Sequence, residues 1–196
     1  MARPRKFDES DVIAAARDQF WSRGYAATSV DDLTNATGLG KGSLYGAFGD
    51  KHHLYLRALE SYCTTALDSV RADLRGGGGT AYDRLVRHIR AQARAVAADA
   101  ERRGCMMAKS AAELGADDEA AANLVERSLR TWRSELLTTV KAAQREGSVD
   151  PKANPQALAT ALLALMRGLE ALRQGGVKPA RIKAAAEEAL RLIPVR

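Results

Sequence analysis

The chain has 196 residues, a net charge of +6 and a pI of about 9.5, with 46% apolar and 28% charged residues. That composition excludes a disordered or fibrous chain, leaves room for a sizeable core, and with its heavy use of alanine and few prolines favours an all-helical protein. Residues 1–51 hold seven Lys/Arg and seven Asp/Glu, so the excess charge lies in the remainder, with 23 basic and 17 acidic residues.

Two cysteines, Cys63 and Cys105, match no metal-ligand spacing and suggest no disulfide framework. They fit reduced thiols in a cytoplasmic protein. The charged N-terminus has no apolar stretch behind it and does not read as a secretory signal. The longest uncharged run, 153–166, is shorter than the roughly 20 residues needed to cross a bilayer, so no membrane partner is expected.

In chain order, residues 1–7 read as a basic arm with Arg3, Arg5 and Lys6 available for phosphate or a minor groove. The first helix is expected from Asp8 or Ser10 to Arg23, with Val12, Ala15, Ala16 and Phe20 at helical spacing and Gly24 after its end. Thr28 or Ser29 caps a second helix over 30–37 that buries Val30 and Leu33. Gly38-Leu39-Gly40 then turns the chain into a third helix, 41–48. Its Leu44 and Phe48 are four apart and share a face, while Lys41, Ser43 and Tyr45 point elsewhere. The second and third helices form a helix-turn-helix whose third helix suits a DNA major groove.

A long fourth helix is expected from Lys51 to Arg75. Four glycines, 76–79, then make the clearest flexible joint. Further helices are expected over 80–103, 105–114, 117–146, 154–174 and 179–192. The eighth is apolar nearly all round between Ala157 and Met166. Such a helix is buried on more than one side. A second copy of the chain, packed through the last two helices in a four-helix bundle, would cover Leu158, Leu162, Leu165, Leu169 and Leu172.

No metalloprotease, phosphate-loop or nucleophile-elbow motif appears, so no catalytic residue, metal ligand or cofactor is assigned. His52 and His53 are adjacent and face different ways on a helix, which makes a poor metal pair. His88 reads as a satisfied residue and not as a base.

The ordered run Phe20-Trp21-Ser22-Arg23-Gly24-Tyr25, Thr28-Ser29-Val30 and Gly38-Leu39-Gly40-Lys41-Gly42-Ser43-Leu44-Tyr45 with Phe48 and Lys51 resembles the TetR/AcrR family of bacterial transcriptional regulators. The match covers about 12–54. It implies DNA-contact roles for Thr28, Lys41, Gly42, Ser43, Tyr45 and Lys51. It also implies a homodimer on a double-stranded operator, most often a repressor released by a small-molecule inducer. The implied architecture is an N-terminal helix-turn-helix domain, 1–50, and a C-terminal ligand-binding and dimerisation domain, 51–196, about nine helices in all.

Five positions depart from the family pattern, of which Thr34 and Thr37, where small aliphatic residues are common, only adjust packing. Gly40 stands where Ser often caps, and Gly46 and Ala47 replace bulky polar residues, so few bases are expected to be read directly. Tyr62, Cys63, Met106, Met107, Trp132 and Met166 are the candidate inducer-lining residues. Cys105 follows Arg102, Arg103 and Gly104 at an expected helix N-terminus, where cations and the helix dipole stabilise a thiolate. The Gly104-Cys105 pair followed by apolar residues resembles one branch of that family that includes regulators responding to electrophiles or oxidants, which implies a sensing thiol; the alternative is a buried inert cysteine beside Met106. The competing reading is a helical adaptor with weakened DNA binding, favoured by the neutral N-terminus and the missing bulk at 46 and 47.

Overall fold

A computed structural model describes residues 7–195, and Arg3, Arg5 and Lys6 lie outside them. Nine helices follow in order among the described residues: α1 (Glu9–Arg23), α2 (Val30–Thr37), α3 (Lys41–Phe48), α4 (Lys51–Arg75), α5 (Ala81–Ala98), α6 (Met106–Leu114), α7 (Glu119–Arg145), α8 (Pro155–Gln174) and α9 (Pro179–Arg191). The fold is all-α, as the composition and periodicity require.

Helix boundaries follow capping chemistry. Asp8 caps α1, and Ser29 caps α2 in a reciprocal box with Asp32. Helix α5 stops at Ala98, five residues short of the expected end. The Asp99 carboxylate instead accepts the backbone N–H of Gly104 at 3.0 Å, so a side-chain acceptor competes with the helix ladder. Helix α7 starts at Glu119 because Asp118 accepts the N–H of Ala121 at 3.0 Å.

The chain divides into two compact units. The first contains the chain up to Thr65 together with Met106–Glu126, and the second contains Ala66–Cys105 and the chain from Arg127 onward. The division cuts α4 at Thr65 rather than at the helix boundary near residue 50.

In the first unit α1 packs on α2 and α6, and α2 on α3. Phe20, Leu33, Leu44, Leu54 and Leu59 are all but fully buried. Phe20 meets the ring of Tyr55 edge-on at 5.0 Å, and Tyr55 meets Tyr25 at 4.9 Å. Burial raises the Tyr55 phenol to about 12, so it stays protonated.

In the second unit α5 packs on α8 and α9, and α8 on α9. The four-glycine segment between α4 and α5 is held at both ends. Arg84 donates to the carbonyls of Leu74 (3.0 Å) and Gly79 (3.1 Å), and Arg87 donates to Gly76 (2.8 Å). The expected flexible joint is therefore a turn whose carbonyls are bound by two guanidinium groups.

Small and apolar residues occupy both the buried and the outward face of α8. Ala159, Leu162, Met166 and Leu169 form its buried stripe within the protomer. Leu162 and Leu169, expected at the dimer seam, are buried within the protomer. Leu158 and Leu165 are half-buried, and Leu172 is exposed. The outward face carries Ala157, Ala161, Ala164, Gly168 and Ala171, spaced along one stripe.

Candidate nucleic-acid interface

The interface is built on two short helices that could not stand alone. Isolated eight-residue helices are marginal in water, so α2 and α3 depend on Leu33, Leu44 and Phe48, all buried. Gly38 closes α2 in the left-handed region, φ 68°, a conformation that costs an L side chain. Gly40 starts α3 without a side-chain cap.

With Leu44 and Phe48 turned inward, α3 turns Lys41, Gly42, Ser43 and Gly46 to solvent, and Tyr45 is half-exposed. The Lys41 ammonium lies 5.9 Å from the centre of the Tyr45 ring. A Cβ placed on Gly40, Gly42 or Gly46 would meet nothing within 4 Å. Nothing in the chain's own packing requires glycine there. The Gly46→Ala variant is expected to be about 1 kcal/mol more stable than the parent in urea denaturation.

Lys51 opens α4. Its ammonium sits 4.3 Å above the Tyr25 ring, and burial lowers its pKa while the charge of Glu113 opposes the shift. Lys51 is thereby positioned over Tyr25 beside the helix-turn-helix.

Thr28 departs from expectation. Its side chain is fully buried and its hydroxyl donates to the carbonyl of Gly24 at 2.6 Å. It has no hydroxyl left for a phosphate. It closes the turn between α1 and α2, and Ser29 does the capping.

The sequence reading missed three residues of the same unit, two of which hold this turn from the other side. Lys109 on α6 donates to the carbonyls of Trp21 (2.8 Å) and Ser22 (3.3 Å), which are orphaned at the end of α1. Glu113, one turn on, accepts the backbone N–H groups of Tyr25 (2.7 Å) and Ala26 (3.3 Å). Asp118 lies 2.6 Å from Nε2 of His52. The signal available in the sequence was an opposite-charge pair four apart on an otherwise small-residue helix, which reads as surface decoration.

Of the candidate inducer residues, Tyr62, Cys63, Met106 and Met107 belong to the first unit. Trp132, Met166 and Cys105 belong to the second. Tyr62 meets Trp21 edge-on at 5.0 Å, and Cys63, Met106 and Met107 are buried. In the second unit a buried polar chain runs through Trp132. The Trp132 indole donates to His88 Nε2 at 3.2 Å, and His88 Nδ1 lies 2.9 Å from Asp73. An indole N–H can only donate, so His88 carries its proton on Nδ1 and donates it to Asp73. Burial lowers the His88 pKa, which keeps the ring neutral.

Arg167 covers the other side of Trp132, its guanidinium 4.3 Å from the ring centre. It donates to Cys105 Sγ at 3.0 Å and pairs with Glu170 at 2.9 Å. Cys105 precedes α6 and is 3% exposed. A guanidinium touching its sulfur comes from α8, 62 residues away, which the sequence did not indicate.

Comparison with known proteins agrees with this architecture. The family model for bacterial regulatory proteins, tetR family, matches residues 12–58, and that for the tetracyclin repressor-like C-terminal domain matches 81–189. The HTH-type transcriptional repressor ComR of Escherichia coli (strain K12) is 26% identical over 192 residues, 98% of this chain and 91% of that protein. The HTH-type transcriptional repressor BdcR of the same strain is 33% identical over 105 residues, 54% of this chain and 53% of that one. A cysteine mutant of the TetR family transcriptional regulator CifR, solved with a 26-base-pair double-strand operator DNA, superposes with a TM-score of 0.80 at 28% identity, covering 98% of this chain and all of that one. Among the described residues no helix is long and apolar enough to cross a membrane. With its helix-turn-helix and its C-terminal helices both matched, this chain belongs to the tetR family and is a DNA-binding transcriptional regulator.

Proposed function

We propose that the protein is a homodimeric repressor, released from a palindromic operator by a small-molecule or thiol-reactive inducer. The observation that carries the DNA-facing half is the division of α3. Leu44 and Phe48 are buried, whereas Lys41, Gly42 and Ser43 are exposed with open space in front of the glycine. In this reading Lys41, Ser43, Tyr45 and Lys51 contact phosphate or base edges, and Gly42 lets the backbone approach closely. Arg3, Arg5 and Lys6 add phosphate or minor-groove contacts.

Residues 51–196 act as the ligand-binding and dimerisation part. The exposed stripe of Ala157, Ala161, Ala164, Gly168 and Ala171, flanked by Leu158, Leu165 and Leu172, suits close approach of a second copy. Two copies then read half-sites about one helical turn of DNA apart. Cys105, joined to Arg167, is the candidate sensing thiol. Its sulfur accepts from the Arg167 guanidinium at 3.0 Å.

Fluorescence anisotropy with the DNA upstream of the protein's own coding sequence tests the proposal. Parent binding is expected to weaken linearly in log–log form as salt rises. Lys41→Ala should weaken binding about equally across sequences and reduce the salt slope by about one for each subunit. Binding that ignores both salt and the substitution would refute the assignment and favour a protein-binding adaptor.

A further inference from the structure

We propose that Asp50, His52 and His53 form a site for one divalent cation of the zinc class at the first turn of α4, with Asp118 orienting His52. One ligand atom from each of Asp50, His52 and His53 lies within 4.8 Å of the other two. Adjacent residues on a helix diverge by about 100°, so helix geometry by itself does not bring two histidines together. The convergence arises because Asp50 stands one residue before α4 and folds its carboxylate back over the first turn. One oxygen accepts the His53 backbone N–H at 2.8 Å, and the other lies 3.0 Å from His53 Nδ1.

That 3.0 Å pair is close to metal geometry already. Ligands about 2.0–2.1 Å from a tetrahedral ion stand roughly 3.3 Å apart. A cation would replace the proton shared between Asp50 and His53, and His52, whose ligand atom already lies within 4.8 Å of the other two, would complete a third position while it keeps Asp118. His53 and Asp50 are exposed, at 67% and 57% of their side-chain surface, so these two side chains close on the ion with little resistance and a fourth position stays open to water.

Asp118 gives His52 the environment a metal-binding imidazole needs. Its Oδ2 lies 2.6 Å from His52 Nε2, and its Oδ1 is held by the N–H of Ala121 at the start of α7. A proton on Nε2 directed at Asp118 leaves the Nδ1 lone pair for the ion. This is the carboxylate–histidine–metal relay that fixes tautomer and raises ligand basicity. Two carboxylates also offset the ion's charge beside Lys51 and the positive end of the α4 dipole. Two imidazoles and one carboxylate select a zinc-like ion over magnesium or calcium, which prefer all-oxygen sites.

The test uses the full chain stripped with a chelator and titrated with Zn²⁺ by calorimetry. One ion per chain is expected, with no heat from Mg²⁺. Co²⁺ should produce visible ligand-field bands without thiolate charge transfer, which separates this site from Cys63 and Cys105. His53→Ala and Asp50→Asn should each weaken Zn²⁺ binding at least tenfold, and Asp118→Asn by about 10–100-fold. Circular dichroism of the metal-free variants should match the parent, since the substituted groups at 50 and 53 are exposed. Zn²⁺ affinity unchanged in a His52→Ala, His53→Ala double variant, a thiolate band with Co²⁺, or the absence of Zn²⁺ binding would overturn the proposal. The titration involves no DNA, so it stands or falls separately from the operator-binding reading.

Discussion

Gly24→Ala is expected to destabilise the protein by about 2–4 kcal/mol, from backbone strain and lost hydrogen bonds together. Gly24 has φ 87° and ψ 172°, a region that only glycine occupies without strain. An added Cβ would also stand 2.0 Å from a carboxylate oxygen of Glu113. The Glu113 side chain can swing away, but it then gives up the N–H groups of Tyr25 and Ala26. A double-mutant cycle in urea separates the two costs. If displacement of Glu113 contributes, Gly24→Ala in a Glu113→Ala background will cost less than in the parent. Equal costs in the two backgrounds would assign the whole effect to the backbone and dismiss the clamp. The result bears on function because Glu113 and Lys109 hold the turn that leads into α2 and α3.

Arg167→Met is the second large effect. Arg167 stacks on Trp132, donates to Cys105 and pairs with Glu170. Its Nε and Nη2 are buried without hydrogen-bond partners among the described residues. Methionine retains much of the volume against Trp132 but leaves the Glu170 carboxylate without its cation. Breaking one side of a buried pair costs about 3–5 kcal/mol when the remaining group is charged.

The pH dependence identifies the cause. Burial raises the Glu170 pKa above its ordinary 4.5, and the charge of Arg167 opposes that shift. The folded state therefore binds the Glu170 proton more tightly than the unfolded state. Stability from this group is complete below 4.5, falls as pH rises through the raised folded value, and then levels. Removing Arg167 removes the opposing charge, so the fall should be deeper and reach higher pH. Urea melts from pH 4 to pH 8 check this, and a variant profile parallel to the parent's would exclude Glu170 as the source.

Much of the local structure was readable from single residues. Gly38 after Thr37, Pro155 after Asn154 and Pro179 after Lys178 mark helix ends by stereochemistry that no distant contact has to supply. The recognition helix was equally readable, because Leu44 and Phe48 can share a face in only one register. Where the reading failed, a side chain chose between local partners. Asp99 accepted Gly104 and stopped α5 early, and Thr28 gave its hydroxyl to Gly24. A threonine before a helix can cap, hold a phosphate or close a turn, and the three uses have the same spelling.

The long-range polar contacts were not readable at all. Lys109 and Glu113 look like ordinary surface charges until their partners, 88 residues away for the shortest bond of each, are in place. Arg167 and Cys105 are separated by 62 residues. The sequence by itself determined the helices, their caps and the division of α3 into an apolar pin and a polar edge, because each follows from contacts within a few residues. Only the tertiary structure decided which face of α8 is core, that Arg167 meets the thiol, and that Asp118 comes to rest against His52. Those outcomes depend on where separate helices and their terminal carboxylates come to rest, and helical periodicity carries no information about that.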